Sequence, residues 1–280
     1  MSTMQLPDFL VIGAEKSGTT WLKHNLNEHP EVFVPSKKEL NFFDKDEHYD
    51  QGLSYYASFF EQADGNVKKG ELTPGYLHTP EKSAARIYEL FPQIKLIAIL
   101  RDPVERAWSN FLMHKADGRT DASFADIISQ NHSIVTKGYY YQQLLPYLNR
   151  FPSENIMILN YDRLKSEPAA LLKQIFSFIG VDDNFVPTQS KKVIFSARKA
   201  KYPVLNKTLS IVGHVSRSLG FAGKFRGAKR KLRQWVKKNN TVTAPKEAMS
   251  ESDRRALNNL YREDLDQLSG LVGKDFSNWI

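Results

Sequence analysis

Short apolar runs that alternate with helix-forming segments most constrain the fold of this 280-residue chain. The runs Asp8–Gly13, Ile94–Leu100 and Ile156–Asn160 have the length and composition of buried strands. Because strands separated by helices form βαβ units, the pattern predicts an α/β protein with a mostly parallel sheet flanked by helices.

The remaining elements are predicted from the same signals, and no internal repeat or low-complexity linker divides the chain. We therefore expect a single domain over residues 1–280. One further strand is expected at Val67–Leu72, and helices are expected at Thr19–Asn27, Gly52–Phe60, Pro80–Phe91, Val104–Lys115, Lys137–Phe151, Pro168–Ile179 and Ser252–Leu271.

The net charge of +8 is unevenly distributed along the chain. Residues 184–246 contain sixteen Lys and Arg and no acidic residue, whereas the rest of the chain holds 23 basic and 31 acidic residues. Within this region, Val204–Leu219 and Gly227–Lys238 are predicted to form basic amphipathic helices. Such a region indicates an anionic ligand, partner or surface, and we expect it to cover the substrate or cofactor.

Composition excludes several classes of protein. The chain has no cysteine, so disulfide frameworks and cysteine-based metal sites or nucleophiles are excluded. The start of the sequence lacks the features of a signal peptide, and no apolar run approaches the roughly 20 residues that span a bilayer. No motif with metal-ligand spacing is present. We expect a cytoplasmic protein that has no transmembrane segment and needs no metal.

A glycine-containing loop joins the first predicted strand to the first predicted helix. The loop, Gly13–Trp21 (GAEKSGTTW), directs backbone N–H groups and a helix N-terminus at one point, which is the arrangement of an anion site. Its glycine spacing matches G-x-x-x-x-G-K-[ST], but Thr19 stands where the lysine belongs and Lys16 precedes the second glycine. This argues against ATP chemistry. The expected phosphate contacts are Lys16, Ser17, Gly18, Thr19 and Thr20.

A second candidate anion site follows the strand Ile94–Leu100. Arg101 leaves the carboxyl end of this strand, where parallel sheets bind their ligands, and Ser109 follows eight residues later near the start of the next helix. A fixed guanidinium and a nearby hydroxyl suit a phosphate monoester. Two phosphate-type sites, each after a strand, predict a ligand with two separate phosphate groups.

The segments Lys16–Trp21 (KSGTTW) and Leu100–Phe111 (LRDPVERAWSNF) together resemble sulfotransferases that use 3′-phosphoadenosine-5′-phosphosulfate (PAPS), in the bacterial and heparan sulfate branch. The resemblance implies a fold like that of P-loop kinases, PAPS as donor and the bisphosphate PAP as product. It assigns the 5′-phosphosulfate to the loop, the 3′-phosphate to Arg101 and Ser109, and adenine stacking to Trp21.

The resemblance extends to later segments. Tyr161–Leu164 (YDRL) is similar to a segment whose tyrosine approaches the adenine, and Leu271–Trp279 (LVGKDFSNW) is similar to the ending of bacterial and carbohydrate members. Arg198 and Lys199 resemble a late contact to the 3′-phosphate, although Ala200 replaces the glycine of that motif.

The candidate base also comes from the resemblance. Lys38–Asp44 (KELNFFD) is similar to the Glu-x-His-Phe-Phe-Asp segment of heparan sulfate enzymes, which assigns the base to Glu39 and the stabilisation of the leaving phosphate to Lys16. His78 and His114 are rival bases. Leu72 stands where those enzymes carry a lysine near the sulfate. The expected substrate contacts are Asn41, Asp44, Glu71 and His78.

Two other functions stay open, and so does the acceptor. In a P-loop kinase or NTPase, Asn160–Asp162 would be the magnesium-binding segment. Magnesium-dependent ATP turnover would support this function. A non-catalytic polyanion-binding protein would use the basic region, but no nucleic-acid-binding motif is present and we expect no nucleic-acid partner. The acceptor is expected to be a hydroxyl-bearing molecule: a carbohydrate such as an anionic saccharide, a hydroxylated metabolite, or an acyl group on a carrier protein.

Overall fold

A five-stranded parallel sheet forms the centre of the computed structural model, which describes residues 4–188, 190, 198–200, 241–243 and 247–279. The sheet order is β2-β3-β1-β4-β5, and every neighbouring pair is parallel. This confirms the predicted fold class. The strands are β1 (Phe9–Gly13), β2 (Val32–Phe33), β3 (Lys68–Leu72), β4 (Lys95–Leu100) and β5 (Ile156–Asn160).

Helices cover both faces of the sheet. Alternate residues of a strand point to opposite faces, so Leu10 and Ile12 pack in one core cluster while Phe9 and Val11 pack in the other. The helices are α1 (Thr19–Glu28), α2 (Asp46–Tyr49), α3 (Gly52–Ala57), α4 (Pro80–Leu90), α5 (Pro103–Ala116), α6 (Phe124–Ser129), α7 (Ser133–Thr136), α8 (Tyr140–Leu148), α9 (Tyr161–Ser166), α10 (Pro168–Ile179) and α11 (Glu251–Val272).

Most predicted elements are confirmed within two residues at each end. The predicted helix Lys137–Phe151 is wrong at both ends, because α7 ends at Thr136 and α8 runs only from Tyr140 to Leu148. Gly138 lies between these helices, and a side-chain Cβ at that position would lie 2.7 Å from the Tyr261 ring. The close approach of α11 therefore requires a glycine at this position.

The C-terminal third is described in part. Two short antiparallel strands, β6 (Arg198–Ala200) and β7 (Thr241–Thr243), pair with each other, and β6 lies beside α5. The predicted basic helices Val204–Leu219 and Gly227–Lys238 lie outside the described residues. Within the described residues, no helix is both long enough and apolar enough to cross a membrane.

Asp264 of α11 fixes the start of α8. Its carboxylate accepts hydrogen bonds from the backbone N–H groups of Tyr141 (3.0 Å) and Gln142 (3.3 Å). Burial raises the pKa of Asp264 to about 6. Since the pKa of this group is higher in the folded than in the unfolded protein, its contribution to stability declines as the pH rises from about 4 to about 6.

The variant Asp264→Asn should lack this pH dependence. We expect the free energy of unfolding of the wild type, relative to the variant, to decrease by on the order of 2–3 kcal/mol between pH 4 and pH 7. Urea denaturation of both proteins at several pH values measures the difference. Asp266→Asn, on the exposed side of the same helix, is the control. Parallel pH profiles for wild type and Asp264→Asn would contradict the expectation.

Candidate active site

The loop between β1 and α1 lies at the carboxyl edge of the sheet. Gly18 precedes the first residue of α1 with φ at 89°, and no side chain caps this helix N-terminus. A Cβ at Gly18 would lie 2.6 Å from Leu164 Cδ1 and 3.3 Å from Tyr161 Cε2. Glycine is therefore required here both by the left-handed backbone and by the contact with α9. The first N–H groups of α1 remain available to an anion.

Lys16 supplies a positive charge beside this helix N-terminus. Its Nζ lies 3.6 Å from Met113 Sδ of α5, and among the described residues no carboxylate forms an ion pair with it. Burial lowers the pKa of Lys16; the nearby Glu15 charge opposes this shift, and the charges of Arg101 and Lys38 add to it. The buried Ser17 Oγ also has no hydrogen-bond partner in the described residues. Within the part of the chain that the structure describes, a cation without an ion pair, a buried hydroxyl without a hydrogen-bond partner and an uncapped helix N-terminus together fit an anionic group.

Arg101 contacts the same loop. Its Nη1 donates to the Lys16 carbonyl oxygen at 3.3 Å, and its guanidinium lies over the Tyr161 ring, 5.1 Å from the centroid. Glu105 Oε2 is 3.7 Å from Arg101 Nη2, and the other oxygen of Glu105 accepts from Arg254 of α11 at 2.6 Å. The structure thus brings both predicted anion sites, and Tyr161, to one end of the sheet.

Ser109 lies on the face of α5 that faces this loop. It is one turn after Glu105 and one turn before Met113, which contacts Lys16, and residues four apart share a helix face. Ser109 itself is partly buried. The backbone of Arg198 and Lys199 is in β6, which lies beside α5. The predicted 3′-phosphate contacts therefore come from chain segments that are neighbours in space.

Glu39 is connected to the loop through Lys38. Lys38 Nζ lies 3.1 Å from Thr20 Oγ1 and 3.4 Å from Glu39 Oε1, so a single ammonium joins the candidate base to the first turn of α1. The side chain of Glu39 is 43% exposed, which leaves it accessible to an acceptor. Glu39 is thus paired with a neighbouring lysine at the surface and lies beside the loop.

Asn41 and Asp44 lie beside the turn Pro74–His78, and His78 is the last residue of that turn. A Cβ at Gly75 would lie 3.1 Å from Asp44 Oδ2 and 3.7 Å from Asn41 Oδ1, so both side chains point at this turn. Burial raises the pKa of Asp44, and burial together with the Lys137 charge lowers the pKa of His78. Three of the four predicted substrate residues thus lie in or beside this turn.

Two predicted ligand contacts are buried instead. Glu71 is 2% exposed and both of its carboxylate oxygens accept hydrogen bonds from protein hydroxyls, so the expectation of a direct substrate contact is corrected. Trp21 is 1% exposed, and its Nε1 donates to the Ser190 carbonyl at 3.2 Å. Trp21 is buried because it packs in the core. Adenine stacking by Trp21 stays a prediction.

An ion pair that the sequence did not indicate lies beside Lys16. Glu15 Oε2 and Lys137 Nζ are 2.5 Å apart. Burial raises the pKa of Glu15, but the Lys137 charge and hydrogen bond outweigh it and lower the pKa. Leu72, at the position of the family lysine, is buried in the core. No motif marks Lys137, because it lies 122 residues from its partner.

The protein thus has a parallel α/β fold, and the loop after its first strand is of the anion-binding type. The sequence matches the sulfotransferase domain family over residues 6–269, and the chain belongs to this family. Among the described residues, no group of three or more histidine and acidic side chains is arranged to hold a metal ion.

Relatives and solved structures agree with this assignment. The chain is 32% identical over 201 residues to heparan sulfate glucosamine 3-O-sulfotransferase 3B1 of Mus musculus. The match covers 67% of this chain and 50% of the relative. It is 42% identical over 109 residues to membrane-associated sulfotransferase kil1 of Dictyostelium discoideum. This match covers 38% of this chain and 22% of the relative. The chain therefore spans about half the length or less of these relatives.

A sulfotransferase structure from Alicyclobacillus acidocaldarius has the same fold. It matches this chain with a TM-score of 0.71 and 23% identity, over 98% of both chains. At this identity the likeness establishes the shared architecture alone.

Proposed function

We propose that this protein transfers a sulfuryl group from PAPS to an acceptor hydroxyl, with a sugar hydroxyl as the first choice of acceptor. The observation that carries the proposal is the contact between Arg101 Nη1 and the Lys16 carbonyl, which joins two candidate phosphate contacts in one site. A nucleoside with phosphates at both the 5′ and 3′ positions is the ligand class that uses both. The relatives named for heparan sulfate support a saccharide acceptor.

The residues divide the chemistry between them. Glu39 takes the proton of the acceptor hydroxyl as its oxygen forms a bond to sulfur. The bond between sulfur and the phosphate oxygen breaks, and Lys16 and the N–H groups of α1 neutralise the charge that develops on that oxygen. Arg101 and Ser109 hold the 3′-phosphate and so fix the position of the donor in the site. Asn41, Asp44 and His78 orient the acceptor beside Glu39.

Differential binding of nucleotides tests the donor site. We expect PAP to raise the melting temperature markedly, and AMP and ATP to raise it much less, because only PAP carries a 3′-phosphate. Arg101→Gln should weaken PAP binding by roughly 10–100-fold, since a charge-assisted hydrogen bond contributes about 1.5–3 kcal/mol, and should leave AMP binding unchanged.

Lys165→Gln is the matched control for Arg101→Gln. Lys165 Nζ lies 4.7 Å from the centroid of the same Tyr161 ring, but its ion pair is with Asp162, and PAP binding by Lys165→Gln should match that of the wild type. Thermal shift and calorimetry with PAP and AMP measure both variants. Equal stabilisation of the wild type by PAP and AMP would refute the 3′-phosphate site.

Transfer itself is measured with sulfur-35-labelled PAPS and a panel of acceptors. Desulfated heparan-type oligosaccharides, small hydroxylated metabolites and a hydroxyacyl carrier protein represent the three acceptor classes. Label on the oligosaccharide alone is the expected result. ATP turnover with magnesium, without any transfer of label, would favour a kinase or NTPase instead.

A further inference from the structure

The buried carboxylate of Glu71 is the centre of a hydrogen-bond cluster at the end of β3. Tyr56 OH donates to Oε2 at 2.5 Å, whereas Thr73 Oγ1 (2.5 Å) and Tyr76 OH (2.6 Å) both donate to Oε1. Burial raises the pKa of Glu71, and these three hydrogen bonds act in the opposite direction. The three hydroxyl donors explain how a carboxylate can be buried in the core. They do not explain why this carboxylate lies next to the loop that carries the candidate base.

Two of the three hydroxyls also hold the loop that carries Glu39. Tyr76 OH accepts the backbone N–H of Phe42 at 3.0 Å, and Thr73 Oγ1 accepts the backbone N–H of Asn41 at 3.5 Å. Because the Tyr76 oxygen accepts from Phe42, its own hydrogen must point elsewhere, and Glu71 Oε1 is its acceptor. Glu71 therefore sets the direction in which Tyr76 presents its lone pairs to the loop.

The loop needs such support because its backbone is strained. Glu39 and Asn41 have φ values of 56° and 53°, in the left-handed region that is unfavourable for residues other than glycine. The Asn41 side chain donates to the Glu39 carbonyl at 2.9 Å, and His48 Nδ1 lies 2.8 Å from the Asn41 carbonyl. These contacts lock the loop internally, while Tyr76 attaches it to the sheet.

We propose that Glu71 is a positioning residue that acts through Tyr76 to hold the backbone of residues 39–42, and with it the Glu39 carboxylate, against the phosphate loop. The claim rests on the proposed role of Glu39 as base. Glu71 touches neither donor nor acceptor. It fixes Tyr76, Tyr76 fixes the Phe42 amide, and the amide fixes the turn from which Glu39 extends.

Two tyrosine variants separate this role from simple core stability. Tyr76 and Tyr56 are both fully buried and both donate to Glu71, but of the two hydroxyls only that of Tyr76 is seen to bind the loop backbone. Tyr76→Phe and Tyr56→Phe keep the rings and remove one hydroxyl each. The stacking of Phe42 on the Tyr56 ring, at 4.4 Å between centroids, is retained in both.

We expect Tyr76→Phe to lower kcat about 10–100-fold, because a displacement of about 1 Å at a reacting group has an effect of this size. Amide hydrogen exchange at Phe42 should accelerate in this variant, and its affinity for PAP should stay within about twofold of the wild type. Tyr56→Phe should show wild-type kcat and wild-type exchange at Phe42, with a similar loss of stability.

Glu71→Gln provides a rescue test within the same cluster. Its amide oxygen can replace Oε1 and keep both Tyr76 and Thr73 as donors, while Tyr56 OH turns to accept from the amide nitrogen. We expect most of the wild-type kcat to remain and Phe42 exchange to stay slow.

Equal changes in kcat and in Phe42 exchange for the two tyrosine variants would overturn the proposal. So would slow exchange at Phe42 in Tyr76→Phe. A failure of the proposed function gives a different result, since a wild-type protein that neither binds PAP nor transfers label leaves the exchange comparison intact. Full activity of Glu39→Gln, together with fast exchange at Phe42 in Tyr76→Phe, would refute the role of Glu39 as base. The role of Tyr76 in holding the backbone of residues 39–42 would still be supported.

Discussion

Glu39→Gln is expected to lower kcat by roughly 10²–10⁴-fold, the range that general-base catalysis contributes. The substitution keeps the shape of the side chain and removes its ability to take a proton. The affinity for PAP should stay close to that of the wild type, because Lys38 and Thr20 still form the connection to the phosphate loop. Single-turnover transfer of labelled sulfate, with PAP binding measured by calorimetry, tests both parts.

Glu47→Gln is the control for this experiment. Glu47 is an exposed carboxylate at the start of α2, a few residues along the chain from Glu39. It should keep wild-type rates. A loss of PAP binding in Glu39→Gln would mean that Glu39 maintains the loop rather than removes a proton, and wild-type rates in Glu39→Gln would leave His78 and His114 as candidate bases.

Lys16→Met is expected to reduce kcat by about 10²–10³-fold. A donor aimed at developing negative charge contributes about 2.7–4 kcal/mol in the transition state. Methionine keeps an apolar stem beside Met113 and removes the charge, so the fold of the loop should persist. The loss should be larger in kcat than in PAP affinity, because the charge on the leaving oxygen increases as the bond to sulfur breaks.

Lys45→Met removes an exposed charge from the residue before α2 and serves as the control. Single-turnover rates at saturating PAPS separate the chemical step from donor binding. A loss of PAP affinity with kcat unchanged would show that Lys16 binds the donor without any preference for the transition state.

The sequence predicts correctly the position in the fold of those candidate site segments that are encoded locally. The apolar run of β4 fixes a buried strand, and the carboxyl end of a parallel strand is where ligands bind, so the location of Arg101 follows from position alone. The loop at Lys16–Gly18 is encoded in the same way by a strand, glycine spacing and a helix start. These features need no knowledge of distant contacts.

The parts that the sequence does not predict depend on tertiary contacts. Glu71 is a charged residue in a strand, and its burial follows from hydroxyls supplied by α3 and by the turn after β3. Lys137 pairs with Glu15 across 122 residues. Very short elements such as α2 and β2 are stabilised by packing rather than by any periodic pattern.

The carboxylate of Glu105 links the last helix to the candidate donor site. It lies between Arg101, at the candidate donor site, and Arg254, near the start of the last helix. Replacing Arg254 by a neutral residue would leave Arg101 as the one guanidinium beside Glu105 among the described residues. That carboxylate would then compete more strongly with the nucleotide for the arginine, so a substitution in the last helix would weaken donor binding through Glu105.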